Sequence, residues 1–584
     1  MQINSIEITN VKGIAHQVLD LGLLPNKPNV LVAPNGFGKS SLSIGFASLK
    51  KSKLELDDNN YYLNNKSNKP ILSLTIQDSS GMRTLTATES SNAILTEFDV
   101  FVINSQLMAK ASILKINGAS IPKSSLEIAP IVLIPTIPEK VLFDYSLAQE
   151  RRDFGMNGKI LSDIKNVFSS APLLDRIIQE IDLSKFEQVK VSKSIDAVKK
   201  EINIQSGKSE DIRKWIEVNK LIELQKVDEL NSLASILRSF DSSNIKTDTE
   251  SFLAAFQIIS VYQRLKSNFR KAMNYVFYHA ERSYYESTIA SFNTTRHIIK
   301  PKEDKKKGLI IEWPKAHEIS NGQRDVLSFV TMLMKANRSF KKTNCILIID
   351  EIFDYLDDAN LISFQYFITT MIEEMKKQGK NFFPILMTHL DPLFFNHFCF
   401  NRHKIKVAYL KDVPFKSNAN LLKLIKKRED PLIQTNIDKH HFHYYPTGVD
   451  ISVDFLTLGL HGPWGDSQKF HQFIDDETRK YLKDQSDYDP LAICFSVRVK
   501  IESLIHSDIS DSVKQQKFLD IHGTKKKLEY CEEIGHSVPE SYYLLGIIYN
   551  DRLHWREGLD IIRPVAIKLE NLTIKKLIRD LFLK

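Results

Sequence analysis

The chain has 584 residues, of which 42% are hydrophobic and 26% charged, and 79 basic against 71 acidic side chains leave a net charge of +8. The absence of a run near the ~18 apolar residues of a membrane helix excludes a transporter with fused membrane segments. A single hydrophobic core stops growing at about 250 to 300 residues, so we expect two or three domains. The four cysteines have no paired spacing, which favours a cytoplasmic protein.

The first predicted elements flank a glycine-rich loop. Met1 to Asn10 has the pattern of a strand rather than of a signal peptide. The apolar run Val30 to Val32 precedes the loop Ala33 to Ser41, A-P-N-G-F-G-K-S-S, and Leu42 to Leu49 continues as a helix. A strand, a glycine-rich loop and a helix in this order predict a binding site for a nucleoside triphosphate.

Each position of this loop has an expected task. Backbone N–H groups can wrap the phosphates, the Lys39 ammonium can reach the outer ones, and Ser40 can ligate Mg²⁺. The predicted nucleotide-binding residues are Asn35, Gly36, Phe37, Gly38, Lys39, Ser40 and Ser41. Ala33 departs from the pattern G-x-x-x-x-G-K-S, because glycine tolerates backbone angles that alanine resists.

A helical region follows, from about Tyr145 to Tyr285, where apolar residues recur at three- and four-residue spacing. Ile195 to Ile204, Ile212 to Leu237 and Phe252 to Tyr285 carry the clearest pattern, and Ser206 to Ser209 is an expected break. Each arm could reach at most roughly 90 Å at 1.5 Å per residue. A short helical hairpin or bundle that contacts a partner therefore fits better than a long rod.

The densest basic run, Lys302 to Lys307, is interpreted as a solvated hairpin or linker in preference to a phosphate contact. Beyond it, Ile319 to Arg324 reads I-S-N-G-Q-R and is expected to start a helix over Asp325 to Ala336. The N-terminus of that helix can hold the γ-phosphate of a nucleotide bound elsewhere.

Two apolar strands then end in side chains that suit phosphate chemistry. Cys345 to Ile349 is followed by Asp350 and Glu351, which can present one carboxylate to Mg²⁺ and a second to the attacking water. Pro384 to Met387 is followed by Thr388 and His389. The order of these segments along the chain makes coincidence a poor explanation.

Together these segments resemble the ABC-type ATPases, and among them the soluble SMC/RecF/RecN-like group. The matching segments are Walker A at 35–40, the signature sequence at Ser320, Asn321, Gly322 and Gln323, Walker B with its catalytic glutamate at Asp350 and Glu351, the D-loop at Asp354 to Asp357, and the switch histidine at His389. Gln106, after the strand Val100 to Ile103, is a candidate for the Q-loop glutamine near Mg²⁺, but a polar residue after a strand is also ordinary loop chemistry.

The resemblance implies an α/β ABC-ATPase head, with a mixed sheet and a P-loop, that binds ATP and Mg²⁺. Two heads in a homodimer or higher oligomer would sandwich two ATP molecules, with the partner's signature segment and Asp357 completing each site. Glu351 would polarise the water, Lys39 would stabilise phosphate charge, and His389 would sense the γ-phosphate. Ser40, Gln106 and Asp350 would hold Mg²⁺.

The expected domains are an N-terminal ATPase lobe at 1–144, a helical insertion at 145–290, a C-terminal ATPase lobe at 291–427 and a C-terminal domain at 428–584. Lys426 to Pro431 is interpreted as a linker. Lys439 to Tyr445 holds histidines two apart, which share one face if the segment is a strand. Without an adjacent acidic or cysteine ligand, a metal site there is the less favoured alternative.

The C-terminal domain is expected to be mainly helical from about residue 489, with helices at Leu491 to Ser507, Thr524 to Ile534, Ser541 to Tyr549 and Leu572 to Phe582. It weakly resembles HEPN-type domains, and the PrrC and RloC anticodon nucleases carry Arg-x-x-x-Glu with a later histidine. Arg498, Glu502 and His554 follow this order and form a candidate effector site, for which His506, His522 and His536 compete with His554. An ordinary helix-surface ion pair, worth about 0.2–0.5 kcal/mol, is slightly favoured for Arg498 and Glu502.

The leading hypothesis is an ATPase of a bacterial antiviral defence or toxin-like system, similar to PtuA and to anticodon-nuclease ATPases, whose head dimerisation controls a nuclease. The nuclease is either a separate partner protein or residues 489–583 themselves. A DNA-clamping repair or recombination ATPase like RecF or RecN is the alternative, and a scaffold that hardly hydrolyses nucleotide is a third. The expected partners are a nuclease or regulatory protein and either DNA or tRNA, with no membrane.

Overall fold

The computed structural model describes residues 1–33, 37–104, 107–116, 119–240, 245–291, 298–314, 318–319, 321–350, 358–389, 404–410, 414–549 and 562–583. At 107–116, 119–128, 321, 323 and 358–360 it describes the backbone alone. The chain forms two compact units, one of Met1–Ser105 with Phe340–Lys584 and one of Gln106–Ser339. Among the helices described, none combines the length and the apolar character needed to cross a bilayer.

The strands and helices are numbered separately in chain order. The described strands are β1 (Gln2–Val11), β2 (Ile14–Leu23), β3 (Asn29–Val32), β4 (Leu49–Lys50), β5 (Lys53–Leu54), β6 (Ile71–Asp78), β7 (Gly81–Thr88), β8 (Phe98–Ile103), β9 (Leu107–Ile116), β10 (Ala119–Ile128), β11 (Ile131–Ile134), β12 (Lys302–Asp304), β13 (Gly308–Ile311), β14 (Asn344–Asp350), β15 (Asn381–Thr388) and β16 (Lys406–Tyr409). The described helices are α1 (Lys39–Ala47), α2 (Ile94–Glu97), α3 (Leu147–Phe154), α4 (Ala171–Glu180), α5 (Val189–Ile204), α6 (Ser209–Asn219), α7 (Leu221–Gln225), α8 (Asp228–Arg238), α9 (Asp248–Leu265), α10 (Ser267–Ala290), α11 (Asn321–Ser339), α12 (Asp358–Lys377), α13 (Ala419–Lys427), α14 (Gln434–Asn436), α15 (Ser452–Thr457), α16 (Ser467–Leu482), α17 (Pro490–Asp508), α18 (Ser512–Asp520), α19 (Thr524–Glu533), α20 (Glu540–Leu544), α21 (Gly546–Tyr549), α22 (Ile562–Leu569) and α23 (Leu572–Leu583).

The first unit is built around a parallel sheet in the order β16-β3-β15-β14-β8 and an antiparallel sheet in the order β2-β1-β6-β7. Helix α1 packs against β1, β8 and β14. Its Leu42 and Phe46 are buried in one core with Ile6 of the antiparallel sheet and Ile348 of the parallel sheet. The apolar runs of β3 and β14 fit strands buried on both faces. This α/β head, with its strand–loop–helix junction, confirms the predicted fold class together with the helical regions described next.

The second unit contains the helical insertion, the sheet β11-β13-β12 and the hairpin of β9 and β10. Helices α3 to α10 share a buried core that includes Phe186, Ile212, Leu233 and Phe256, so these helices form a bundle. The expected break lies between α5 and α6, where Gly207 has φ +135°. Lys302 to Lys307 forms the strand and turn of a β-hairpin, as interpreted from the sequence.

The helices of this unit differ in their bounds from the sequence pattern in three places. The segment 212–237 is divided among three helices, α6, α7 and α8, and 252–285 is divided between α9 and α10. Lys266 separates the latter two because its φ of +49° cannot continue a right-handed helix. Helix α11 begins at Asn321 instead of Asp325, so the signature residues that the structure describes occupy its first turn.

The C-terminal helices α13 to α23 share a separate core around Phe442, Trp464, Phe470 and Phe495. Residues 426–431 do not form the expected linker, because Arg428 is buried, pairs with Asp438 at 2.8 Å and stacks on the Phe442 ring. The strand expected around the histidines is also wrong. Residues 437–441 form a π-helical turn instead. In this turn the His441 ring lies between the rings of Phe455 and Phe470.

Candidate nucleotide site at the edge of the parallel sheet

Four sequence motifs start at one edge of the parallel sheet. The strand registers pair Thr388 with Val32, Asp350 with Met387, and Ile349 with Ile103. Because these strands are parallel, the segments after β3, β8, β14 and β15 leave the sheet on the same side, where ligands of α/β proteins commonly bind. The fold therefore brings the ends of strands from distant parts of the sequence to one edge of the sheet.

The phosphate-loop pattern begins at Ala33, which is fully buried. Its N–H donates to the Thr388 carbonyl at 3.0 Å, so the starts of the glycine-rich loop and of the His389 segment are hydrogen-bonded neighbours. Ala33 does not belong to the described residues with positive φ. A methyl group is therefore accepted where the usual pattern has glycine, and the departure from that pattern causes no backbone strain.

Gly38, in contrast, has a backbone conformation that favours glycine. It caps α1 with φ +88°, and a Cβ there would lie 3.0 Å from Ile14 Cδ1. The next residue, Lys39, is buried, and its ammonium donates to the Ala33 carbonyl at 2.6 Å. The lysine that the sequence assigned to the outer phosphates thus joins the start of the loop to the first turn of α1.

The described residues fit a triphosphate with Mg²⁺. The first turn of α1 contains no acidic residue, so its partial positive charge stays available for an anion. Ser40 is exposed at this turn, and the neighbouring Ser41 is buried, its hydroxyl accepting from the Gly13 N–H at 3.3 Å. A serine hydroxyl and the Asp350 carboxylate at the end of β14 are hard oxygen donors of the kind that Mg²⁺ prefers.

Several predicted site residues lie outside the described residues: Asn35, Gly36, Gln106, Ser320, Glu351, Asp357 and His554. For Asn321 and Gln323 the structure describes the backbone alone, in the first turn of α11 beside Gly322. Phe37 is 37% exposed, and His389 is exposed directly after β15. Ile14 and Gly13 lie beside the loop although no motif in the sequence indicated them.

The helix that carries the signature residues is joined to the insertion. Arg338, near the C-terminal end of α11, donates to Glu281 of α10 at 2.7 Å. The hydroxyl of Tyr285 donates to the same carboxylate. Both helices belong to the second unit, so the signature segment and the longest helix of the insertion are parts of one compact body.

In the C-terminal region, Arg498 and Glu502 do not form the expected surface ion pair. Arg498 is 7% exposed and Glu502 is fully buried. The Arg498 guanidinium donates to the Tyr549 carbonyl at the end of α21. This arrangement overturns the slightly favoured alternative, since α17 turns the face that bears both residues toward the core.

Glu502 instead accepts four hydrogen bonds. Its Oε1 accepts from Nδ1 of His443 at 2.6 Å and from the Thr524 hydroxyl at 2.6 Å. Its Oε2 accepts from the Lys527 ammonium at 2.7 Å and from the Tyr444 N–H at 3.1 Å. Burial opposes ionisation, but His443 and Lys527 hold the pKa of Glu502 well below its usual value.

The neighbouring histidines have separate partners. His441 donates from Nε2 to the Trp464 carbonyl at 2.9 Å, and His440 donates from Nδ1 to the Thr447 carbonyl at 2.9 Å. Within the part of the chain that the structure describes, no group of three histidine, cysteine or acidic side chains is arranged to hold a metal ion. The contact of His443 with Glu502 was missed because 59 residues separate them.

The sequence matches no protein-family model and no curated protein. Among solved structures, an Smc head domain of Pyrococcus furiosus, bound to the C-terminal domain of ScpA, is 13% identical with a TM-score of 0.26, covering 68% of this chain and 92% of that chain. The SMC head domain of Thermotoga maritima is 12% identical with a TM-score of 0.20, covering 67% and 90%. The recombination mediator RecF with ATP is 11% identical with a TM-score of 0.20, covering 67% and 92%. At these TM-scores the likeness carries no argument about this site.

Proposed function

We propose that the chain is an ABC-type ATPase whose heads dimerise on ATP and thereby control a nuclease effector in a bacterial antiphage defence or toxin-like system. The proposal that the chain is an ATPase is supported above all by one edge of the parallel sheet. The loop that contains Lys39 begins at this edge, and Asp350 ends a strand at the same edge. A strand-end carboxylate and a lysine-bearing loop at one edge are the elements that phosphoryl transfer requires.

In the proposed reaction, the N-terminus of α1 and the Lys39 ammonium hold the charge of the phosphates. Mg²⁺, bound by Ser40 and Asp350, would supply further neutralisation of the phosphate oxygens. Glu351 orients and polarises the attacking water, and the exposed His389 contacts the γ-phosphate. Catalysis then depends on positioning and electrostatics more than on covalent chemistry.

Control of an effector is supported by the second unit. Helix α11 presents the signature residues, and the contact of Arg338 with Glu281 joins it to α10. When the signature segment of one head binds the ATP of the other, α11 carries the insertion with it. A partner bound to the insertion, or the C-terminal domain itself, would then receive the signal.

The test is ATP-dependent self-association of the Glu351→Gln protein, measured by sedimentation velocity. The variant should bind ATP without hydrolysing it and should accumulate as a dimer, whereas Glu351→Gln combined with Lys39→Ala should stay monomeric. An unchanged sedimentation coefficient with saturating ATP would contradict head dimerisation. Hydrolysis stimulated by duplex DNA, with binding that weakens steeply with salt, would favour a DNA clamp instead.

A further inference from the structure

A groove lies beside the basic β-hairpin of the second unit, which is the unit that does not contain the glycine-rich loop. Its volume is about 540 Å³, and it is lined by Arg282 of α10 and by the segments 298–303 and 312–314. All of these residues belong to one compact unit. The volume is in the range of ligand-binding clefts.

Part of the lining of this groove is apolar and open to solvent. Ile298 is 77% exposed, and the half-buried Trp313 and Pro314 line the same groove. Pro301 completes this part of the lining. An exposed isoleucine beside a tryptophan offers apolar area that a partner can cover, and tryptophans are enriched where binding energy concentrates. The groove therefore suits a ligand with an apolar side chain.

The acidic side chains that line the groove are already paired. Glu303 accepts from the Tyr278 hydroxyl at 2.7 Å and also from the Arg282 guanidinium. Glu312 accepts from the Lys302 ammonium at 2.9 Å. Neither carboxylate therefore presents an uncompensated negative charge to a ligand.

Several lysines at the groove and along the hairpin have no such partner. Lys300 lines the groove and is exposed, and Lys305 to Lys307 form the exposed turn of the hairpin. Within the described part of the chain, none of these four ammonium groups is in an ion pair. The Asp304 carboxylate accepts two N–H groups of the turn, each at 2.8 Å. The segment 298–314 has five lysines against three acidic side chains, so its excess charge favours an acidic ligand.

We propose that this groove binds a peptide segment of a partner protein in which an apolar side chain is flanked by acidic ones. The apolar side chain contacts Ile298 and Trp313, and the carboxylates face Lys300 and the lysines of the turn. The turn begins three residues after Lys302, about 10 Å along a strand. An extended segment of about six residues spans roughly 20 Å and can reach both places.

The lining favours a peptide over a nucleic acid. Sites for single-stranded nucleic acid stack successive bases on several aromatic rings. Among the described residues that line this groove, Trp313 has the single aromatic ring, and isoleucine and proline side chains surround it. Such a lining accepts an aliphatic or aromatic side chain but provides no row of stacking surfaces.

The inference rests on the proposed function, because it names the kind of partner that the insertion would hold. Arg282 follows Glu281 on α10, and Glu281 accepts from Arg338 of α11 at 2.7 Å. The groove and the helix that carries the signature residues therefore contact the same turn of α10. A partner in the groove would be connected to the signature segment through this helix.

The experiment uses the full chain without nucleotide and a panel of labelled eight-residue peptides. The peptides have Leu, Phe or Pro at the centre and Glu, Ser or Lys at the flanking positions, and fluorescence anisotropy measures their binding. Glu-flanked peptides should bind, more weakly as salt is added, and Lys-flanked peptides should not. Ile298→Ser should weaken binding about 10-fold or more, because it removes apolar contact area. Ile222→Ser is the matched control, because Ile222 is 70% exposed on α7 of the same unit.

A charge reversal tests the acidic part of the peptide separately. Lys300→Glu should weaken the binding of Glu-flanked peptides about 10-fold and should allow Lys-flanked peptides to bind, because the change places like charges together for the first set and opposite charges for the second. Lys214→Glu, at an exposed lysine of α6, should change neither affinity. Both positions are exposed, so the variants should fold.

The remaining outcomes separate this inference from its alternatives. Absence of binding by every Glu-flanked peptide, or equal weakening by Ile298→Ser and Ile222→Ser, would overturn it. A labelled single-stranded oligonucleotide whose binding Ile298→Ser abolishes would assign the groove to nucleic acid and overturn it as well. So would self-association of the chain without ATP that Ile298→Ser abolishes while no peptide binds. Peptide binding by a chain that does not dimerise on ATP would support the groove and contradict head dimerisation alone.

Discussion

The sheet edge of the head and the Glu502 cluster of the C-terminal domain assemble distant residues in different ways. At the edge, parallel strands bring Ala33 beside Thr388 through backbone hydrogen bonds. In the cluster, side chains from 443 to 527 meet around one buried carboxylate. Backbone hydrogen bonds between strands position the residues at the sheet edge, so the site tolerates a changed side chain such as that of Ala33. The buried Glu502 carboxylate, in contrast, is stabilised by each of its side-chain partners.

The largest effect is expected where the cluster loses a partner. Lys527→Met should destabilise the protein by about 3–5 kcal/mol, because it leaves the Glu502 carboxylate buried without its cation. Equilibrium urea unfolding measures this loss. The matched control is Lys525→Met, which removes an exposed pair with Glu529 at 3.7 Å and should cost at most about 1 kcal/mol. Equal losses of unfolding free energy in the two variants would mean that the buried pair of Lys527 with Glu502 stabilises the protein no more than an exposed pair does.

A second prediction concerns acid sensitivity in the same domain. Burial lowers the pKa of His441 to about 4, below the 6.5 of an unfolded histidine. The neutral form is favoured in the fold, so its contribution is present above pH 6.5 and about 3 kcal/mol is lost as the pH falls to 4. His441→Phe should flatten the dependence of unfolding free energy on pH over this range. A curve parallel to that of the unchanged protein would refute the role of His441.

A smaller effect is expected at the glycine-rich loop. Gly38→Ala should cost about 1–2 kcal/mol for the left-handed conformation at φ +88°, and more for the contact with Ile14. Gly379→Ala is the matched control, because Gly379 has φ +70° with open space around it. Thermal unfolding of both variants separates the cost of the left-handed conformation from the cost of the contact with Ile14. If Gly379→Ala is the more damaging change, the close approach of Ile14 to the loop is unimportant.

The sequence predicted the strands and the loop at the sheet edge better than the side-chain contacts around Glu502, and the reason is physical. Strands such as Cys345 to Ile349 are apolar because both faces are buried, and a loop pattern such as G-K-S follows from phosphate binding, so both are local signals. The departure from this pattern at Ala33 causes no backbone strain, which the sequence does not show because it does not report φ. The contact of His443 with Glu502 depends on how a π-turn packs against α17, and no periodicity encodes that.

The helix boundaries illustrate the same limit. Residues 252–285 have one continuous apolar spacing, yet Lys266 adopts a left-handed conformation and divides the segment. Likewise, Arg428 lies in a charged run typical of linkers, but the Phe442 ring and Asp438 give it a buried position. For Arg428, these tertiary contacts outweigh the local preference of a charged run.

The most direct test of the account is steady-state ATP hydrolysis by the purified chain beside Lys39→Ala, with Lys51→Ala as the control at an exposed lysine. We predict measurable turnover that Lys39→Ala lowers about 100- to 1000-fold, in the range found when one group that stabilises transition-state charge is removed. Lys51→Ala should leave the rate unchanged. Turnover that persists in Lys39→Ala, or falls equally in both variants, would contradict the nucleotide site at the sheet edge.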